Sequence, residues 1–203
     1  MKEIINGILG KFGYGLHRTF GSNLYAGFNS SFLSQLGKPR TVIDVGVGYG
    51  THALYEAYPQ ARFILVEPLR EYKDAIDKIL KKYDCTVIYK AVGDAEGIQE
   101  FFVDVQDLQR STFAGRTALT STGDPIEKRT IEVTTLDTIC REIPGIEQPI
   151  LLKIDTEGHE LSVLKGAGAL LQIVDMVIAE VSVAERFEGS YEFEDLILFM
   201  KEH

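Results

Sequence analysis

Four short runs constrain the fold of this chain more than any other feature: TVIDV at 41–45, RFILV at 62–66, ILLKI at 150–154 and DMVIAEVS at 175–182. Their apolar residues fall on consecutive rather than alternate positions, so a strand built from any of them buries both faces, as in a parallel sheet. Helix-like stretches separate the runs. GTHALYEAY follows the first and is stopped by Pro59, residues 69–82 carry an amphipathic pattern, ELSVLKGAGALL follows ILLKI, and YEFEDLILFMKEH closes the chain. CTVIYKAV at 85–92 reads as a further strand. Strands alternating with helices predict an α/β fold with a doubly wound, mostly parallel, Rossmann-like sheet.

With 203 residues, 45% of them hydrophobic, the chain suffices for one substantial core. The division expected is an N-terminal helical segment over 1–38, interrupted by glycines, and a single domain over 39–203. Between the third and fourth strands the pattern changes. IQEFFVD at 98–104 alternates sides and reads as an added antiparallel strand, and TIEVTTLDTI at 130–139 as a strand running into a short helix. The polar stretch at 107–125 is too long for an ordinary connector and reads as a lid or a disordered segment. Within it Arg110, Ser111 and Arg116 are candidates to close over a substrate, or are solvated loop residues.

A formal charge of −9 works against unaided binding to nucleic acid, whose affinity comes largely from cationic contacts. Lys78, Lys81 and Lys82 share one face of the predicted helix and read as a solvated face. Cys85 and Cys140 have no histidines at metal-ligand spacing, no membrane span is present, and the first residues make a poor signal peptide. A reduced, cytoplasmic protein is expected.

Function concentrates at the ends of two strands. After the first, VIDVGVGYG places Asp44 ahead of Gly46, Gly48 and Gly50, with Tyr49 between, in a turn that leads into a helix. Glycines here permit a sharp turn and close approach of a ligand, and the place is where α/β sheets bind ligands. Glu67 ends the second strand, the usual position of an acid that accepts both hydroxyls of an adenosine ribose. The G-x-G-x-G spacing suits S-adenosylmethionine better than NAD, because carboxylates attract an ammonium and a sulfonium but repel a pyrophosphate.

After ILLKI the chain reads DTEGHE, with Asp155, Glu157, His159 and Glu160 close together. One reading makes these groups functional: Asp155 contacts a cofactor or an acceptor, and Glu157 or His159 takes a proton. The other makes them a helix start, with Asp155 as N-cap and Glu157 and Glu160 in the first turn. Lys153 is expected in an ion pair with a neighbouring carboxylate. Glu180, an acid within an apolar run, must be paired or face the cleft. A divalent ion held by Asp155, Glu157 and Glu180 has no ligand geometry to support it, and no metal site is assigned.

Three blocks together resemble the FkbM-type branch of class I S-adenosylmethionine-dependent methyltransferases: VIDVGVGYG with VEP at 66–68, TTLDTI at 134–139, and LKIDTEGHELSVLKGA at 152–167. The resemblance spans about 40–182. It implies that Asp44, Gly46, Gly48 and Gly50 wrap the methionine end of the cofactor, that Glu67 binds the ribose, that Val92 and Asp94 border the adenine, and that Asp155 and Glu157 line the transfer site. It also implies an O-methyltransferase acting on a small-molecule hydroxyl, of a sugar, glycan or natural product. Two departures stand out. Many relatives have asparagine at the position of Gly48. The class also ends its sheet with an antiparallel pair of strands, whereas this chain reaches His203 inside a predicted helix, so either the C-terminal strands are incomplete through truncation or the fold is completed otherwise. The alternatives kept open are a cofactor-binding domain without catalysis and, less favoured by the glycine spacing, an NAD-dependent oxidoreductase.

Overall fold

The computed structural model describes residues 28–117, 123, 125–184 and 186–203. The helices expected over 1–27 lie outside the described residues. The first described helix, α1 (Ser30–Leu36), starts where the Asn29 side chain accepts a hydrogen bond from the Phe32 backbone, a standard N-cap. Its Leu33 is fully buried.

The central sheet contains β1 (Thr41–Val45), β2 (Arg62–Val66), β3 (Cys85–Ile88), β7 (Ile150–Ile154) and β8 (Met176–Ala179), in the order β3-β2-β1-β7-β8 and parallel throughout. Consecutive apolar residues serve both faces, as the sequence predicts. Val42, Phe63, Leu65 and Leu151 join a core with α1, α2 (His52–Ala57) and α3 (Lys73–Leu80). Ile43, Val45, Ile64, Leu152 and Ile154 join a second core with α4 (Leu136–Glu142), α5 (Glu160–Lys165) and α6 (Phe193–Glu202). Side chains such as Phe63 and Ile43 are fully buried, and each contributes roughly 1.5–3 kcal/mol through burial. The fold is thus doubly wound. Its winding direction reverses between β1 and β7, and at such a reversal a crevice opens beyond the carboxyl ends of the strands.

Three expectations need correction. CTVIYKAV is not one strand. β3 ends at Ile88 because its partner β2 ends at Val66, the last residue in register. Ala91–Val92 then forms β4, which finds new hydrogen-bond partners in Val133–Thr134. DMVIAEVS is strand only to Ala179, where β7 runs out at Ile154. The helix after ILLKI stops at Lys165 and resumes as a 3-10 turn at Leu170–Gln172. Gly166 explains the stop: a Cβ there would lie 2.0 Å from the Gly93 carbonyl oxygen, so the helix end packs directly on the chain leaving β4.

β4 belongs to a second sheet, of order β4-β6-β5, in which β5 (Gly97–Asp104) and β6 (Ile126–Thr134) form the expected antiparallel pair. The start of the long polar connection is neither a free lid nor a solvated loop. Thr112 pairs with Phe102 through both backbone bonds, at 2.8 and 3.0 Å, and Leu108–Arg110 forms a 3-10 turn. Arg116, a candidate for substrate closure, instead forms a 2.9 Å ion pair with Asp104 in which the side chains are 9% and 0% exposed. The backbone amides of Gln106 and Asp107 donate to the same Asp104 carboxylate and help hold its pKa below the ordinary value. Among the described residues, no antiparallel pair follows β8, and no helix is long and apolar enough to cross a membrane.

Candidate active site

A cavity of about 460 Å³ opens at the reversal between β1 and β7, within the range of small-molecule sites. The glycine turn, Glu67, Val92, the loop after β7 and Glu180 at the end of β8 line its floor and sides. The roof comes from the β5–β6 connection, through Leu108, Gln109, Ser111 and Phe113.

The turn after β1 and the loop after β7 meet backbone to backbone. The Asp155 amide donates to the Val45 carbonyl at 3.1 Å, continuing the β1–β7 ladder. Gly46, at φ +77°, leaves no space for a side chain, since a Cβ would stand 1.8 Å from the Asp155 carbonyl oxygen. The expected adjacency of glycine cradle and acidic loop is therefore present.

Beneath that contact lies Lys153, which is buried. Its Nζ is 3.1 Å from Asp44 Oδ1, 3.5 Å from Asp155 Oδ2 and 2.7 Å from the Gly46 carbonyl oxygen. Burial alone would pull the lysine pKa down, but the Asp44 and Asp155 carboxylates outweigh it and hold the pKa above the ordinary value. The expected ion pair is thus shared between two acids, Asp44 on β1 and Asp155 just past the end of β7. Asp44 is fully buried and outside the cavity lining. It accepts from Tyr55 Oη at 2.6 Å and from Thr51 Oγ1 at 3.2 Å. It supports the turn from below, whereas the resemblance puts it around the ligand.

Glu67 is 4% exposed yet faces the cavity, with the Gly48 amide on Oε2 and the Leu69 amide on Oε1, both at 2.9 Å. Burial pushes its pKa up to about 7 against the pull of those two amides. A carboxylate offers about four lone-pair positions, so two remain for a ligand. Tyr49 lines the cavity and is 58% exposed, with its ring edge-on to Tyr72. Gly50 and Val92 line it too. Asp94 does not: it is an exposed residue whose amide donates to Ser162 Oγ at 3.1 Å.

In the loop after β7, Asp155 and Glu157 line the cavity, and His159 does not. Glu157 is the described non-glycine residue with a positive φ, +53°, a backbone region that costs energy and recurs at functional sites. Its carbonyl accepts from Thr112 Oγ1 at 2.7 Å and its carboxylate pairs with Arg186 at 3.0 Å. Burial raises its pKa to about 7, with Arg186 opposing and Glu180 and Asp155 adding to the rise. The His159 ring packs on Phe113, centroids 4.3 Å apart, with Nε2 buried and unpartnered among the described residues. Burial pulls its pKa down to about 4, leaving the ring neutral.

The helix-start expectation holds for Glu160, which lies in the first turn of α5, and is corrected for Asp155 and Glu157. α5 begins at Glu160, so Asp155 lies too far upstream to cap it, and the residue at the cap position, His159, makes no side-chain cap bond. Glu160 organises the loop. Its Oε1 accepts from the Thr156 and Gly158 amides and from Thr156 Oγ1 at 3.0–3.1 Å, and its Oε2 accepts from Tyr191 Oη at 2.7 Å. Sequence reasoning missed Tyr72, Gln109, Phe101 and Phe113. Only Phe101 left a signal, on the alternation of β5. Among the described residues, no group of three or more His, Cys, Asp or Glu side chains is arranged to hold a metal ion.

The sequence profile described as Methyltransferase FkbM domain matches residues 44–203, from the end of β1 through α6. The chain belongs to this family. The matched span of the FkbM domain contains every strand tip around the cavity, the β5–β6 hairpin and the terminal helix, so the hairpin roof lies within the family's own domain. Comparison with curated proteins and with solved structures gives no match. The protein is accordingly a methyltransferase with a Rossmann-like α/β fold.

Proposed function

We propose that this FkbM domain is an S-adenosylmethionine-dependent O-methyltransferase that acts on a hydroxyl of a small molecule, a sugar or another natural product. The observation that carries the reading is the contact of the Gly46 turn with Asp155, which turns a glycine cradle and an acidic loop toward one cavity. The residues present fit the cofactor. Glu67 keeps two acceptor positions for a ribose diol, while Leu69 and Val92 supply apolar walls for a base. Asp44 and Asp155 against Lys153 leave one uncompensated negative charge beside the turn, which suits an ammonium or a sulfonium and disfavours the pyrophosphate of NAD.

When bound, the cofactor supplies a methyl group on a positively charged sulfur, ready for in-line displacement. The protein holds donor and acceptor in line, which supplies much of the acceleration, and removes the acceptor's proton. Glu157 takes that role. It faces the cavity, its carboxylate titrates near neutrality, and Arg186 and Thr112 fix its position. His159, packed on Phe113 outside the lining, is not needed for the step. The hairpin roof limits water at the transfer point. A reduced, cytoplasmic setting agrees with the two free cysteines.

Calorimetric titration with S-adenosylhomocysteine and NAD, followed by labelled S-adenosylmethionine with a panel of hydroxylated acceptors, tests this reading. Preference for NAD, or cofactor binding without methylated product across the panel, would overturn it. For the base, turnover should rise about tenfold per pH unit below roughly 7 and level off above, because only ionised Glu157 accepts a proton. Glu157→Gln should lower kcat about a hundredfold, erase that pH limb and leave S-adenosylhomocysteine affinity within about twofold. A variant that keeps both rate and limb would remove Glu157 from the role.

A further inference from the structure

Tyr72 ends the 3-10 turn Arg70–Tyr72 and is 2% exposed, yet its ring borders the cavity. Its hydroxyl has no hydrogen-bond partner among the described residues. A buried donor left in that state costs about 1–3 kcal/mol, and most buried polar groups in folded proteins are satisfied. The neighbourhood shows what would satisfy this one. A side chain added at Gly48 would begin 3.9 Å from Tyr72 Cζ, the carbon that bears the hydroxyl, and the Gly48 amide itself donates to Glu67. The phenol and the Glu67 carboxylate therefore flank the same glycine. Burial first, and then the Glu67 charge, push the phenol pKa up, so the group stays protonated and able to donate.

Counting donors and acceptors defines the missing partner. Two positions on the ionised Glu67 carboxylate remain after the Gly48 and Leu69 amides, and in that form they can only accept. A vicinal diol fills both by donating two hydroxyl hydrogens. Its oxygens are then left as acceptors beside Glu67 and need a donor. We infer that the Tyr72 hydroxyl donates to a ribose hydroxyl that Glu67 holds, making Tyr72 a second, unassigned ligand for the nucleoside end of the cofactor. Tyr49, edge-on to Tyr72 at 4.9 Å, is itself 58% exposed, so moving it to open the phenol to a ligand seated on the turn would cost little buried area.

The inference rests on the cofactor assignment above, and one set of titrations separates the two. Wild type and Tyr72→Phe are titrated with S-adenosylhomocysteine and with its 2′-deoxy and 3′-deoxy ribose analogues, and the thermal midpoint of each ligand-free protein is recorded. The phenylalanine keeps the ring contacts, so the ligand-free midpoint should be unchanged or higher. Affinity for S-adenosylhomocysteine should fall roughly three- to tenfold. One deoxy analogue should bind wild type and variant equally, because it lacks the oxygen that Tyr72 serves. Equal affinity of the two proteins for S-adenosylhomocysteine overturns the inference. So does an identical loss for all three ligands, which would mean altered packing. Wild type that is folded but binds no S-adenosylhomocysteine overturns the cofactor assignment and this inference together.

Discussion

Lys153→Met should cost about 3–5 kcal/mol of folding stability, far more than a typical single substitution. The reason is the charge it leaves behind. Asp44 is fully exposed to nothing but protein, and Lys153 is the cation in contact with it. Tyr55 and Thr51 still donate to the carboxylate, but neutral donors do not balance a charge that has lost its water. Asp155 loses the same partner at its cavity edge, where solvent softens the effect, since its side chain is 38% exposed. The measurement is a urea melt of wild type, Lys153→Met, Asp44→Asn and the double variant. Removing both charges should recover a substantial part of the loss, because the penalty belongs to the unpaired acid and not to the missing contact. A single variant within 1 kcal/mol of wild type would mean that the lysine is not holding the two strands' acids together.

Gly46→Ala should abolish ligand binding at the cavity. Its Cβ would overlap the Asp155 carbonyl oxygen, backbone against backbone, so no rotamer change relieves it. The φ of +77° adds about 1–2 kcal/mol of left-handed strain, and overpacking adds about 1–3 kcal/mol more. Relief requires the turn and the acidic loop to part, which breaks the Asp155–Val45 bond and separates the two halves of the site. Gly48→Ala is the control. An added Cβ there meets nothing closer than 3.9 Å, so it carries the backbone strain without the collision and should bind S-adenosylhomocysteine within about tenfold of wild type. Titration of both variants, with thermal melts to confirm folding, decides the matter. Undiminished binding by Gly46→Ala would contradict the close approach on which the site is built.

The sheet was largely legible because its strands are marked by composition. Val42 and Ile43 face opposite cores, and a consecutive apolar run is the direct signature of that arrangement. The meeting of Gly46 and Asp155 was legible too, since it follows from the order of strand–helix units and a reversal. Strand lengths were not, because they depend on partners. CTVIYKAV has uniform strand character, and only the end of β2 at Val66 decides that Ala91 and Val92 leave for another sheet. Within DTEGHE, the expectation that Asp155 and Glu157 serve the site and Glu160 the helix start rests on position, since residue type alone does not rank them. Glu157 and Glu160 are chemically alike, yet one faces the cavity and the other spends its carboxylate on the loop's own amides and on Tyr191. The roof was legible in part: the stretch reads as a lid with Ser111 over a substrate, and Ser111 does line the cavity, but Phe113 was missed and the order of the stretch depends on a buried ion pair between Arg116 and Asp104.

That departure of β4 also determines how this enzyme type can diversify. Val92 on one wall and Phe113 overhead hang from strands of the same small sheet, attached to the main body at its rim. Insertions or swaps between Asp104 and Ile126 would therefore reshape the roof of the cavity, while the strand tips that form its floor stay untouched.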